Sequence, residues 1–180
     1  MAALRLFIAI PLPGPVRGLL ARDGETLRRF CSGSFTREEN YHLTLVFLGE
    51  TEEERLPAIK AAMDASAGPG FPLRLGPLGR FPGKDGGVLW RGLAESDGLM
   101  CLQAALSERL REEGFRLERR PYRPHLTLAR KALLQRTVKL ETLSLKMHPS
   151  RFRAREMILF SSAQRDGKRV YTPLHRTALR

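Results

Sequence analysis

Along this chain the spacing of apolar positions changes period several times, and each change marks an element. "LRLFIAIPL" at 4–12 is a short apolar run closed by prolines, which predicts a buried strand. Val16, Leu19, Leu20, Leu27 and Phe30 then fall at helical spacing, with prolines at the start, where a missing N–H costs nothing. That helix is expected to end near "CSGS". "YHLTLVFLGE" at 41–50 alternates and reads as a strand stopped by Gly49. "TEEE" at 51–54 has the form of a capping box, and Pro57 opens the helix proper, with Ile59 and Met63 facing inward.

Two further strands are predicted in "FPLRLGPLG" (71–79) and "GVLWRGLA" (87–94), joined by the Gly/Pro-rich "RFPGKDGG". Leu99, Leu102, Leu106 and Leu110 mark an amphipathic helix that Gly114 ends. After the basic loop "RLERRPYRP" comes "HLTLAR". The remainder offers "SRFRARE", "MILFSSA" and "RVYTPLHRTAL", the last two joined by a hairpin turn in "QRDGKR". Strands and helices mixed with hairpin connections predict an α+β fold with mostly antiparallel sheets.

His-Leu-Thr-Leu occurs twice in this pattern, at 42–45 and 125–128, 83 residues apart. The chain has only four histidines, and chance places Leu-Thr-Leu after a given histidine with odds below about 10⁻³. The period is too long for a solenoid. It suits a duplicated unit whose halves face each other across a pseudo-twofold cleft. On a strand, side chains alternate faces. His42 and Thr44 therefore share one face, roughly 6.6 Å apart, with Leu43 and Leu45 on the other. His125 and Thr127 share a face opposite Leu126 and Leu128. Two such strands across a cleft gather two imidazoles and two hydroxyls.

That set suits phosphodiester chemistry. Displacement at phosphorus needs a base on the incoming oxygen and an acid on the leaving one, and histidine can take either role near neutrality. Threonine hydroxyls can donate to the non-bridging oxygens as charge builds there. No metal is called for: the sequence has no HExxH, no paired CxxC and no carboxylate cluster beside either histidine.

Composition sharpens the substrate. Net charge is +12 over 180 residues, with 42% hydrophobic and 28% charged side chains. Residues 1–100 carry 12 basic and 12 acidic side chains, whereas 101–180 carry 19 and 7. A basic second half points to a polyanion, most simply nucleic acid, or else to a solubilising surface. Cys31 and Cys101, each in a helical pattern, are expected to be reduced core residues. No apolar run approaches 18 residues and the N-terminus lacks a signal-peptide pattern, so the expected location is cytoplasmic.

Several residues remain open at this level. Arg130, five residues past His125, is either a substrate-phosphate contact or a rim charge. Arg151, Arg153 and Arg155 share a strand face that is either an RNA track or a solvated edge. Tyr122 and Trp90 are packing residues or base-stacking platforms. Ser161 and Ser162 are candidates to line the cleft beside the second motif. His148 and His175 lack a following Thr and read as surface or packing residues. "KDGG" at 84–87 reads as a turn.

The paired motifs resemble the 2H phosphoesterase superfamily. "RLFIAIPLP", "HLTLVFLGE", "VLW", "RPHLTLAR", "ILFSS" and "YTPLHRTAL" are similar to the bacterial and archaeal RNA 2′,3′-cyclic phosphodiesterases, once called 2′-5′ RNA ligases. The resemblance implies one domain over 1–180, with two intertwined lobes around a cleft, each supplying one motif. It implies hydrolysis of an RNA-terminal 2′,3′-cyclic phosphate to a 2′-phosphomonoester. His42 would be the proton donor to the leaving oxygen, His125 the proton acceptor from water, and Thr44 and Thr127 would hold the phosphate. ATP-independent 2′-5′ ligation, no cofactor and a monomer are further expectations. Two other readings stay open: a related enzyme acting on small cyclic nucleotides or 2′-5′ oligonucleotides, and a non-catalytic RNA- or nucleotide-binding module. The basic second half favours an RNA end over a mononucleotide, and the presence of all four motif residues argues against the binding module.

Overall fold

A computed structural model describes residues 3–180. The order is β1 (Ala3–Pro11), α1 (Gly14–Leu27), β2 (Cys31–Phe35), β3 (His42–Glu52), α2 (Leu56–Ser66), β4 (Phe71–Phe81), β5 (Gly87–Leu93), α3 (Asp97–Glu112), β6 (His125–Leu134), α4 (Leu140–Ser144), β7 (Arg151–Ala154), β8 (Glu156–Arg165) and β9 (Lys168–Ala178). Short 3₁₀ turns at Glu38–Asn40 and Glu53–Arg55 lead into β3 and α2. The strands form two sheets, β3-β1-β8-β9 and β2-β6-β5-β4-β7, in which neighbours pair antiparallel. The α+β expectation holds. The first strand pairs with β8 near the chain's end, while β2 crosses into the sheet of the second motif.

Apolar periodicity is converted directly into burial. Leu6, Ile8 and Ile10 of β1 are fully enclosed, as are Leu20 and Leu27 of α1 and Leu99, Leu106 and Leu110 of α3. Ser96 caps α3 by accepting from the Leu99 N–H at 3.4 Å, and Gly114 ends it at φ +80°. Ile59 and Met63 face inward on α2, which has proline in its first turn. Asp166 and Gly167, at φ +49° and +72°, make the tight turn between β8 and β9.

Four expectations are corrected. Gly49 does not stop β3. At φ +71° it permits a bulge opposite Leu6 and Phe7, and the strand runs on to Glu52. Thr51 therefore stays extended and donates to the Gly49 carbonyl at 3.3 Å, so no capping box forms. "CSGS" belongs to β2, an edge strand on β6, which places Cys31 in a strand rather than a helix. Cys101 does lie on α3 but is exposed, not core; both cysteines are free thiols.

Candidate active site

The two motif strands have been folded alike. From the histidine onward, both read half-buried, buried, half-buried, buried, buried, exposed. Leu43, Leu126 and Leu128 are fully buried and Leu45 nearly so, which turns the histidines and threonines outward. Each strand bulges one residue after its threonine. Thr44 pairs with Ala9 and Val46 with Ile8, leaving Leu45 over; Thr127 pairs with Trp90 and Ala129 with Leu89, leaving Leu128 over. The extra residue shifts the alternation by one. The residue five past each histidine then regains the histidine's face. In β3 that residue is Phe47, 49% exposed, and in β6 it is Arg130, also exposed.

Both imidazoles are aimed by the same bond. His42 Nδ1 donates to the Asn40 carbonyl and His125 Nδ1 to the Arg123 carbonyl, each at 2.8 Å. A carbonyl only accepts, so Nδ1 carries the hydrogen and Nε2 is left for a substrate. Aromatic rings brace them. His42 lies 4.8 Å from Phe7 and 5.1 Å, edge-on, from Tyr171; His125 stands 4.9 Å, edge-on, from Phe81. This enclosure depresses both pKa values. Burial takes His42 from 6.5 down to about 4, against the pull of the Asn40 carbonyl, and the Arg130 and His125 charges lower it further. Burial also lowers His125, again with a contribution from Arg130. The second histidine and Arg130 are thus within electrostatic reach of the first.

The strands are tied across the junction of the sheets, where β3 and β6 touch. Tyr122, just before the second motif, donates its hydroxyl to the Thr44 carbonyl at 2.8 Å. Thr36, just before the first motif, donates its hydroxyl to the Thr127 carbonyl at 2.8 Å. Each motif's lead-in segment therefore holds the other motif's threonine. Tyr122 is partly buried against the core and acts as a strut between the two motifs. Trp90 packs against Phe81, with its ring lying over Gly79 where a Cβ would clash.

Behind the second motif is a buried ion pair that the sequence reading did not find. Arg91 on β5 meets Asp23 of α1 at 2.7 Å, both enclosed. Arg91 also donates to the carbonyls of Gly76 and His148. His148, expected to be a surface or packing residue, bonds Asp23 through Nδ1 at 2.8 Å. Removing one partner of such a pair strands a buried charge, a loss of about 3–5 kcal/mol. A signal existed: Asp23 stands three residues after Leu20 and four before Leu27, on the helix's inner face. His175 bonds Asp64 at 2.9 Å, a packing role. Ser161 and Ser162 lie on β8, in the sheet of the first motif rather than beside the second. Lys84 falls in the turn between β4 and β5.

A recess of about 670 Å³ opens beside His42, walled by the ends of β1 and β9 and by the β7–β8 junction. Among the described residues, no group of three or more His, Cys, Asp or Glu side chains could hold a metal ion, and no helix is long and apolar enough to cross a membrane.

Two antiparallel sheets, each carrying one His-x-Thr strand, define the architecture of the two-histidine phosphoesterases. The chain belongs to the 2′-5′ RNA ligase superfamily, whose family model matches residues 16–166. It is 31% identical over 176 residues to an RNA 2′,3′-cyclic phosphodiesterase of Escherichia coli, covering 97% of this chain and 96% of the relative. It is 34% identical over 129 residues to one of Geobacillus stearothermophilus, covering 69% of this chain but only 41% of that relative's length. The crystal structure of E. coli LigT complexed with 3′-AMP superposes with a TM-score of 0.82 at 29% identity, over 99% of both chains.

Proposed function

We propose that the chain is a phosphodiesterase that opens the 2′,3′-cyclic phosphate at an RNA end to a 2′-phosphomonoester. The supporting observation is the matched pair of imidazoles, each with Nδ1 committed to a carbonyl and Nε2 left over, on strands that meet beside Arg130. Water attacks phosphorus while His125 Nε2 takes its proton. The P–O3′ bond breaks, and His42 gives a proton to the leaving 3′ oxygen. Thr44, Thr127 and Arg130 donate to the phosphate oxygens as negative charge grows. The depressed histidine pKa values fit this role once substrate binds, because an anion stabilises imidazolium and raises both. One domain spans 1–180, its two lobes each supplying a motif. It works as a cytoplasmic monomer without metal or cofactor, and the same displacement with an RNA 5′-hydroxyl in place of water would join RNA ends through a 2′-5′ bond.

The test is hydrolysis of an RNA oligomer ending in a 2′,3′-cyclic phosphate, in excess EDTA, with the product isomer read by phosphorus NMR. A 2′-phosphate is expected. His42→Ala and His125→Ala should each lower kcat/KM by about 10² to 10⁴ with unchanged circular dichroism. Turnover within tenfold of wild type in either variant would exclude acid–base catalysis by that pair.

A further inference from the structure

In-line opening of a cyclic phosphate is asymmetric in what it carries. The incoming group is water, and the leaving oxygen belongs to the ribose and so to the whole RNA strand. The strand must therefore lie on the side of the histidine that protonates the leaving oxygen, and the opposite histidine needs room only for water. The recess of about 670 Å³ is walled in part by His42 and not at all by His125.

Its charge fits a strand of phosphates. Arg17, Arg37, Arg153, Arg155, Arg169 and Arg176 line it, against two carboxylates, Glu39 and Glu156. They converge from α1, from the segment before β3, from the β7–β8 junction and from β9. Every cation is an arginine, whose planar fork matches phosphate oxygens better than an ammonium does. Several are held in place: Arg17 donates to the Leu12 carbonyl at 2.8 Å, Arg153 to Gly70 at 2.6 Å, and Arg176 to Glu156 at 3.0 Å. Arg169 reaches only the Ser162 hydroxyl, at 3.3 Å, and the Arg155 side chain has no hydrogen bond among the described residues. Arg153 sits on the edge strand β7 and Arg155 just past it, where charge also discourages sheet-to-sheet pairing. Edge protection does not require arginines from three other segments to meet them.

We infer that this recess binds the backbone phosphates immediately 5′ of the reacting ribose. The inference rests on the phosphodiesterase reading above and on His42 being the donor.

The experiment compares kcat/KM for cytidine 2′,3′-cyclic monophosphate with that for a tetranucleotide ending in the same cyclic phosphate, across a salt series. The wild-type protein should prefer the tetranucleotide at low salt, with a steeper salt dependence. Arg155→Gln/Arg169→Gln should lower the ratio of the two constants about tenfold and flatten the tetranucleotide's log–log salt slope by roughly 0.7 per lost phosphate contact. Arg22→Gln/Arg111→Gln, two exposed arginines outside the recess, should leave the ratio alone. Equal wild-type constants, or a ratio that the recess double variant leaves unchanged, would overturn the strand site while hydrolysis itself upheld the phosphodiesterase. Absence of hydrolysis of either substrate would remove the enzyme reading, and the strand site with it.

Discussion

The two His-x-Thr strands are near copies that differ in what surrounds each histidine. Both bury their leucines, bulge one residue after the threonine and aim the histidine through a carbonyl two residues back. They differ at the residue the bulge returns to the cleft, Phe47 in one and Arg130 in the other. They also differ in surroundings. His42 sits among Phe7, Tyr171 and the arginine recess, and is the more deeply enclosed; His125 stands against Phe81 beside a basic loop. The two strands thus aim their histidines alike, and unlike residues at equivalent positions give the asymmetry that the proposed reaction, with unlike incoming and leaving groups, requires.

The largest test of that asymmetry is pH. On the proposed mechanism, activity needs one imidazole protonated and the other neutral. In the free protein His42 titrates near 4 and His125 below its ordinary 6.5. Above both values the two rings are neutral and the competent form declines tenfold per pH unit. The profile of kcat/KM, which reports the free enzyme, should therefore peak below pH 6.5 and fall about 100-fold over the two units beyond its upper limb. The profile of kcat should lie at higher pH, since bound phosphate raises both values. A kcat/KM maximum at pH 7.5 or above would show that enclosure does not hold the rings neutral.

Exchange at the equivalent positions sharpens the comparison further. Arg130→Ala removes a charged donor beside both rings and should cost about 10 to 100-fold in kcat/KM, the usual 1.5–3 kcal/mol of a charge-assisted hydrogen bond. Phe47→Ala removes only apolar surface at the cleft and should raise KM a few-fold with kcat retained. Equal losses in kcat would mean that the bulge delivers equivalent groups and that the asymmetry lies elsewhere.

Local pattern made part of this legible and tertiary pairing hid the rest. The repeated HLTL, its alternating leucines and the helical spacing of Leu99 to Leu110 are period signals, and each survives folding because burial follows period. The bulges at Leu45 and Leu128 carry no such signal, since they exist only relative to β1 and β5. Arg130 was therefore ambiguous in the sequence, where strict alternation would have put it on the leucine face. Strand β2 has no alternation at all: "CSGSF" is extended because β6 offers it an edge. The Asp23–Arg91 pair is buried because the two residues meet across 68 positions, a separation no window reveals.

The smallest effect concerns what keeps the two copies in register. Tyr122 and Thr36 each donate one hydroxyl to the opposite motif's threonine carbonyl, the only polar difference between Tyr and Phe at 122. Tyr122→Phe should cost about 1 kcal/mol of stability and roughly fivefold in kcat, by the same conversion, if the lost aim is felt entirely in the transition state. KM should move less, because a loosened Thr44 still meets the ground-state phosphate. Thr36→Val should do the same through Thr127. Since both struts brace one cleft, the double variant should lose more in kcat than the two single losses multiplied. Unchanged kcat in both single variants, with the stability loss present, would reduce the struts to packing and leave the strands aligned by their sheets alone.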